Sequence, residues 1–269
     1  MKVGFIGAGN MAGAIVRGAV AGGALDAQDV AVTSAHGRSA EALAAETGVT
    51  ALADNTELVE WTGPGGLVVV AVKPYLFADV LEPLRGALAE NGSLVVSLAA
   101  GLTLDTLGSM LPEGQSVVRV MPNVNAMVGA GMAGVCGNEA TSADQVSAVV
   151  DLFEAVGAAT VLPERLFPAY AALAGSAPAW SSLYVEALAR AAVKNGMPKA
   201  QAVSIASQML LGTARTLLER ELRPSELMDM VSSPGGTTIA GIVALEDAGF
   251  SAAVARGVQA AVDRDGELG

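Results

Sequence analysis

The first thirteen residues place the strongest constraint on what this chain can fold into. Val3 to Ile6 is a short apolar run typical of a buried strand, and it leads through Gly7-x-Gly9-x-x-Ala12 into an Ala-rich stretch, 11–20, that is predicted to be helical. Gly7 permits a tight turn, Gly9 lets a pyrophosphate approach the backbone, and Ala12 lets the helix lie close to its strand. The helix N-terminus would offer N–H groups to the phosphates. The pattern predicts a dinucleotide site; a small-residue turn without a ligand is the alternative.

Charge and composition limit the classes of partner and of chemistry. The 269 residues are 52% hydrophobic with a net charge of −12, which allows a large core and argues against nucleic acid or an anionic membrane as partner. The single histidine, His36, rules out a His-based metal site, so no metal is expected. The single cysteine, Cys136, rules out an intrachain disulfide and is expected to be a small buried apolar side chain. With no recognisable signal peptide or membrane span, a cytoplasmic protein is expected.

Strand and helix patterns alternate as far as residue 162, which predicts an α/β doubly wound sheet of Rossmann type. The run 67–72 is continuously apolar, as a strand buried on both faces should be, and 93–98 is predicted to be another buried strand. Beyond residue 162 the predicted elements are long helices, at 167–195, 199–221, 223–231, 238–248 and 250–265. The sequence thus predicts a Rossmann-type domain, 1–162, and an all-helical domain, 163–269. The first long helix has few charges, so we expect a second copy to bury it in a homodimer.

The ends of the predicted strands supply candidate cofactor contacts. After the second strand, 30–33, there is no acidic residue for an NAD ribose; instead Ser34 and Arg38 offer a hydroxyl and a guanidinium that suit the 2′-phosphate of NADP. NADPH is therefore favoured over NADH, with an ordinary polar loop as the alternative. Asn55 is either a helix cap or a cofactor contact. Lys73 follows a buried strand and is either a phosphate or substrate contact or a solvated lysine.

A second stretch with chemical potential, 231–238, lies between two predicted helices. Its Pro-Gly-Gly turn leads into threonines that begin the next helix, so several N–H and hydroxyl groups converge on one point. A small carboxylate would fit there; a plain connector with a threonine cap is the alternative. Together, the two turns predict hydride transfer between a nicotinamide cofactor and a small anionic substrate.

From end to end, the chain resembles the pyrroline-5-carboxylate reductases. The resemblance is carried by residues 5–12, 71–74, 120–123 and 174–179, and most specifically by Ser-Ser-Pro-Gly-Gly-Thr-Thr at 232–238. It implies NAD(P)H-dependent reduction of L-1-pyrroline-5-carboxylate to L-proline, the last step of proline biosynthesis. It also implies dimers interlocked through the helical domains, often assembled into decamers.

The resemblance also implies roles for individual residues. Ser233 and the backbone of Gly236 and Thr237 would hold the substrate carboxylate, and the hydroxyl of Thr238 would hydrogen-bond to the ring nitrogen. The implied cofactor contacts are Gly7, Ala8, Gly9, Asn10, Met11, Ser34, Asn55, Ala71, Val72, Lys73 and Pro74. Arg38 joins this set on the strength of its charge alone.

Two stretches depart from the family pattern. Ala177 and Trp180 stand where Gly and Tyr are usual, and Val124-Asn125 replaces Thr-Pro. These departures leave a related cyclic imine open as the substrate. Two other functions also compete: a 3-hydroxyacid dehydrogenase, although Lys194 lies outside the expected lysine motif, and a non-catalytic NADPH sensor, which would not need the 232–238 turn.

Overall fold

The structure is a computed structural model that describes residues 1–267. The chain forms two compact units, of which the first comprises Met1–Gly175 and the described residues from Val262 onward, and the second Ser176–Ala261. The units thus divide at a different place from the predicted domain boundary after residue 162. The reason is that the segment after the last strand packs within the first unit, where Phe167 and Tyr170 are buried.

The first unit is built on one eight-stranded sheet in the order β3-β2-β1-β4-β5-β6-β7-β8. Its strands are β1 (Val3–Ile6), β2 (Val30–Thr33), β3 (Thr50–Ala51), β4 (Leu67–Val70), β5 (Leu94–Ser97), β6 (Val117–Pro122), β7 (Gly131–Gly137) and β8 (Gly157–Val161). All neighbours are parallel except β6 and β7. The order of the first six strands is that of a doubly wound dinucleotide-binding sheet, so the predicted fold class is confirmed.

Helices cover both faces of the sheet. They are α1 (Asn10–Ala21), α2 (Arg38–Thr47), α3 (Asn55–Thr62), α4 (Phe77–Leu81), α5 (Arg85–Asn91), α6 (Leu104–Met110), α7 (Ala143–Glu154) and α8 (Phe167–Tyr170). Adjacent residues of β1 enter different apolar cores, with Phe5 packed in the cluster that contains Ile15 of α1 and Ile6 in the cluster that contains Leu58 of α3. Burial on both faces explains why the central strands are apolar at consecutive positions.

Two predicted helices differ in form from the expectation. The sequence also predicts a helix over 76–89; in the structure it is broken into α4, a 3-10 turn at Glu82–Leu84 and α5, because Pro83 has no N–H for a helical hydrogen bond. The helix predicted at 167–195 is helical throughout, but a π-helical segment, Ala171–Ser176, separates α8 from α9 (Ala177–Lys194). Cys136 lies on β7 as expected but is only partly buried, and that burial raises the pKa of its thiol.

The second unit is all helical. It contains α9, α10 (Lys199–Glu219), α11 (Pro224–Val231), α12 (Thr237–Asp247) and most of α13 (Phe250–Gly266). Among its described residues, the buried apolar side chains are small ones: Ala189, Ala202 and Ala206. Large apolar side chains remain exposed instead, namely Leu183, Ile205, Leu211, Leu218, Met230 and Val243. One chain therefore leaves much of this unit's apolar surface for another molecule to cover.

None of the described helices is by itself long and apolar enough to cross a bilayer. Taken together, α12 and α13 are long and apolar enough by length and composition alone, but the pair is bent by 53°.

Candidate active site

Gly7 is required by the fold of the turn after β1. Its φ of +103° is a conformation that side-chain-bearing residues rarely adopt. A Cβ atom at this position would lie 2.9 Å from the carbonyl oxygen of Ala71 and 3.3 Å from Cγ1 of Val72. The turn at Gly7 and the 71–74 stretch after β4 are therefore in direct contact, as two parts of one cofactor site should be.

Gly9 is not required by the fold in the same way. It is the N-cap of α1 with φ −80° and ψ −172°, which any residue can adopt, and no described atom lies within 4 Å of a Cβ built on it. Glycine provides no capping side chain, so no cap side chain occupies the first N–H groups of α1. Ala12, in contrast, is a buried residue of α1. The arrangement fits a pyrophosphate, which needs free N–H donors and room beside the backbone.

A cleft of about 270 Å³ opens beside this turn, where β1, β2 and β4 end. Ser34 and Asn55 both line it, and Thr33 Oγ1 donates a hydrogen bond to Asn55 Oδ1 at 2.7 Å. Ser34 Oγ accepts from the backbone N–H of Ala40 at 3.2 Å, so its own O–H proton is left for an acceptor. The remaining lining residues are Ile6, Gly7, Ala35, Ala53, Asp54, Val72, Leu76 and Val80.

The structure excludes one of the two interpretations of Asn55, that of a helix cap. Asp54 is the N-cap of α3, and its carboxylate accepts from the N–H of Glu57 at 2.9 Å. Asn55 is the first residue of the helix, so it is not the cap. With its oxygen bonded to Thr33, its amide group is oriented at the cleft wall, where it can donate to a ligand.

Arg38 and Lys73 lie outside the lining of that cleft. Arg38 is exposed at the first position of α2 and forms no ion pair within the part of the chain that the structure describes. Lys73 is also exposed, immediately before the 3-10 turn Pro74–Leu76. Both are free to approach a phosphate from the surface, but neither is preorganised by its neighbours.

Sequence analysis did not single out Thr33, Leu76 or Val80 as site residues. Thr33 orients Asn55, and the two apolar side chains form part of the cleft wall. Leu76 and Val80 are four residues apart, which places them on one face of a helical segment. That four-residue spacing is the sequence signal that could have placed Leu76 and Val80 together. No sequence signal indicates that Thr33 is hydrogen-bonded to Asn55.

The second predicted turn, in the other unit, is built around the start of α12. Gly235 has a φ of +69°, and Gly236 is the N-cap with a Cβ position only 2.4 Å from Ser233 Oγ. Glycine at 236 therefore makes room for the Ser233 hydroxyl. The N-cap is a glycine without a side chain, so the alternative of a threonine cap does not hold. Ser233, Thr237 and Thr238 are all exposed. The turn thus presents hydroxyls and helix N–H groups to a ligand.

These features define a class: a nucleotide-dependent oxidoreductase with a Rossmann-type sheet and a helical assembly unit. Family models match both parts of the chain, "NADP oxidoreductase coenzyme F420-dependent" at 2–101 and "Pyrroline-5-carboxylate reductase dimerisation" at 164–268. The pyrroline-5-carboxylate reductase of Methanosarcina acetivorans is 38% identical over 268 residues, which cover 100% of this chain and 98% of that one. The chain belongs to the pyrroline-5-carboxylate reductase family.

Solved structures agree with this assignment. A pyrroline-5-carboxylate reductase from Coxiella burnetii superimposes with a TM-score of 0.94 at 36% identity, over 99% of this chain and 98% of the other. A Plasmodium falciparum pyrroline carboxylate reductase with NADP bound has a TM-score of 0.84 at 26% identity, over 100% and 98%. The match to a dimerisation model accounts for the exposed apolar side chains of the helical unit, so the chain is oligomeric.

Proposed function

We infer that this chain reduces L-1-pyrroline-5-carboxylate to L-proline with NADPH, the last step of proline biosynthesis. The observation that carries this inference is the match to pyrroline-5-carboxylate reductases over the whole chain, which includes both the nucleotide-binding and the helical parts. The reaction adds a hydride to the carbon of a cyclic C=N bond and a proton to its nitrogen.

The cofactor residues of the first unit have separate tasks in this proposal. The turn from Gly7 to Met11 binds the pyrophosphate through N–H groups at the start of α1. Ser34 donates its free proton to the 2′-phosphate, and Arg38 adds charge from the surface. Asn55 and the stretch from Ala71 to Pro74 line the remainder of the cofactor cleft. When bound, NADPH supplies the hydride; NADH has the same reducing group but lacks the 2′-phosphate that Ser34 and Arg38 would recognise.

The substrate residues lie at the start of α12. The carboxylate is bound by the Ser233 hydroxyl and by the N–H group of Thr237, at the positive end of the helix. The N–H of Gly236, which the resemblance also implies as a carboxylate contact, instead donates to Ser233 O at 3.0 Å within the turn. Thr238 donates a hydrogen bond to the ring nitrogen. Such a bond stabilises the transition state because electron density moves onto nitrogen as hydride reaches the adjacent carbon.

This division of labour explains why a chain with one histidine is sufficient for the reaction. A cyclic iminium, the protonated form of the imine, is already a good hydride acceptor, so the protein contributes mainly by orienting its C=N carbon towards the cofactor. His36 is exposed in the loop before α2 and is not needed in that role.

For assembly and location, we propose a cytoplasmic homodimer that associates through the helical unit and forms decamers from dimers. The support is the dimerisation match at 164–268, the exposed apolar side chains of that unit, and the single, partly buried cysteine. Sedimentation analysis tests it: a dimer or a multiple of dimers is expected, and a monomer at micromolar concentration contradicts it.

The catalytic proposal is tested by steady-state oxidation of NADPH and of NADH with L-1-pyrroline-5-carboxylate, with L-proline quantified as the product. Rapid NADPH-dependent formation of proline is expected. Oxidation of 3-hydroxyacids with NADP⁺ instead would support the dehydrogenase alternative. Tight NADPH binding without turnover would point to a sensor, or to another cyclic imine selected by Ala177 and Trp180.

A further inference from the structure

The π-helical segment Ala171–Ser176 has an identifiable cause in the sequence. Pro178 has no N–H, and its ring clashes with the carbonyl four residues earlier in an α-helix, which is that of Ala174. The helix widens over this turn, as helices commonly do at functional sites. Regular α-helical pairing thus leaves the Ala174 carbonyl without its backbone donor, although it lies in a buried residue.

Asn123 supplies a donor to that carbonyl. Its Nδ2 donates to Ala174 O at 2.9 Å, and the residue is only 7% exposed. Its Oδ1 accepts from the backbone N–H groups of Asn125 at 3.2 Å and Met132 at 3.1 Å. Both ends of the amide are therefore used, and the side chain cannot rotate without losing hydrogen bonds in a buried place.

A second hydrogen bond links the π-helical region to the end of β6, and this time the donor belongs to the helical side. The hydroxyl of Tyr170 donates to Met121 O at 3.1 Å. The Tyr170 ring occupies space that a side chain at Gly134 would fill, since a Cβ there would lie 2.9 Å from the ring. Gly175 lies against Met121, with a Cβ position 3.1 Å from Met121 Cε. The segment from Tyr170 to Gly175 is thus fastened to the end of β6.

The end of β6 is a significant place in this sheet. In a doubly wound sheet, the ligand lies across the carboxyl ends of the strands at the point where the strand order reverses, here between β1 and β4. The Ser34–Asn55 cleft lies on the β2 side and takes the adenosine half. The reactive half of a dinucleotide then extends towards the ends of β5 and β6, where Met121 and Gly175 lie.

We propose that Asn123 is a positioning residue for hydride transfer: by binding the Ala174 carbonyl that Pro178 leaves without an α-helical donor, it fixes the backbone at Gly175 beside the reactive half of the cofactor. The inference rests on the proposed reductase function. It adds to that function a residue that contacts neither substrate nor cofactor.

The test compares Asn123→Asp with a matched control, Asn138→Asp. Asn123→Asp keeps the acceptor oxygen and removes the donor. Asn138 has the same chemistry at the opposite end of β6, where Nδ2 donates to Gln115 O at 2.9 Å and Oδ1 accepts from Val117 N at 3.1 Å. The measurements are kcat, KM, the Kd for NADPH, and the primary isotope effect with NADPH deuterated at the transferred position. The isotope effect reports on hydride transfer, which a loss of stability alone does not change.

For Asn123→Asp we expect kcat to fall by about tenfold or more, with a larger isotope effect and an NADPH Kd within about twofold of the unchanged protein. For Asn138→Asp we expect the same isotope effect as in the unchanged protein. The inference is overturned if folded Asn123→Asp keeps a normal kcat and isotope effect, or if both variants respond alike.

If Asn123→Asp does not fold, Pro178→Ala tests the proposed positioning role of Asn123 instead. It gives the Ala174 carbonyl an α-helical backbone donor and removes the ring that excludes α-helical geometry, so Asn123 must then compete with the helix for that carbonyl. We expect a larger isotope effect in this variant too, and an unchanged value overturns the inference. Absence of turnover in the unchanged protein would overturn the proposed function itself, which separates the two failures.

Discussion

Arg119 Nη1 and Glu164 Oε1 form an ion pair of 2.8 Å that connects β6 with the segment after β8. Arg119 is 5% exposed, and its guanidinium carbon lies 4.4 Å from the centre of the Phe167 ring. The same Glu164 oxygen accepts from the backbone N–H of Leu104 at 2.7 Å, at the start of α6. One carboxylate thus holds a central strand, a helix start and the approach to the π-helical segment.

Removal of this carboxylate should be costly. Glu164→Ala leaves a buried guanidinium without its partner, so we expect the free energy of unfolding to fall by about 3 kcal/mol. Glu164→Gln keeps an oxygen for Arg119 and for the Leu104 N–H and should cost about 1 kcal/mol. Urea denaturation measures both. Equal and small losses would mean that the pair contributes little to the stability of the first unit.

The two glycines of the first turn should respond in opposite ways to alanine. Gly9→Ala places a methyl group in open space, so we expect nearly unchanged stability and an NADPH Kd at least about tenfold higher. Gly7→Ala is the control: its φ of +103° and the 2.9 Å approach to Ala71 O should cost about 2 kcal/mol of stability. Thermal unfolding without ligand and fluorescence titration with NADPH make the comparison. Normal NADPH affinity in Gly9→Ala would remove the pyrophosphate from this turn.

Arg38 should discriminate between the two nicotinamide cofactors. Its guanidinium is exposed and free to bind a 2′-phosphate, so Arg38→Ala should raise the Kd for NADPH by about fivefold and change that for NADH by less than about twofold. Paired titrations with the two cofactors give the ratio. An equal loss for both would show that Arg38 does not read the 2′-phosphate and would leave that task to Ser34.

Thr238 should affect turnover rather than cofactor binding. Without the hydroxyl, the ring nitrogen loses a donor as it gains electron density, so Thr238→Ala should lower kcat by about 10- to 100-fold. Thr238→Ser keeps the hydroxyl and should recover most of the rate. Steady-state kinetics with NADPH binding measured separately tests this, and wild-type rates in Thr238→Ala would remove the residue from the mechanism.

The buried phenol of Tyr170 should make the free energy of unfolding fall as the pH becomes alkaline. Burial raises the pKa of its phenol from 10.0 to about 12. The phenol therefore ionises at lower pH in the unfolded chain than in the folded protein, so its contribution is complete below pH 10 and is lost as pH rises towards 12. The loss should be about 2–3 kcal/mol. Urea denaturation across this range should show a shallower decline for Tyr170→Phe; parallel curves would contradict the assignment.

Local chemistry explains which parts of the fold were predictable. β1 and β2 were predictable at Val3–Ile6 and Val30–Thr33 because strands buried on both faces form nearly continuous apolar runs. Pro83 lies inside a predicted helix and interrupts it. The prediction of one helix over 167–195 did not include the π-helical segment before Pro178, because no spacing in the sequence shows whether a proline bends, ends or widens a helix.

The contacts that were not predictable join residues far apart in the chain. Asn123 and Ala174, or Arg119 and Glu164, meet only because β6 ends beside the segment that follows β8. In neither pair does the separation along the sequence indicate that the two residues are in contact. The cofactor turn, by contrast, depends on glycines within three residues of one another, so its geometry was readable from the sequence alone.

The most direct test of the central claim is transfer of deuterium from NADPH, labelled at the hydride position, to L-1-pyrroline-5-carboxylate. We expect one deuterium in the L-proline formed, at the carbon that carried the C=N bond, together with loss of NADPH in equal amount. Formation of no proline, or of proline without the label, would contradict direct hydride transfer by this protein.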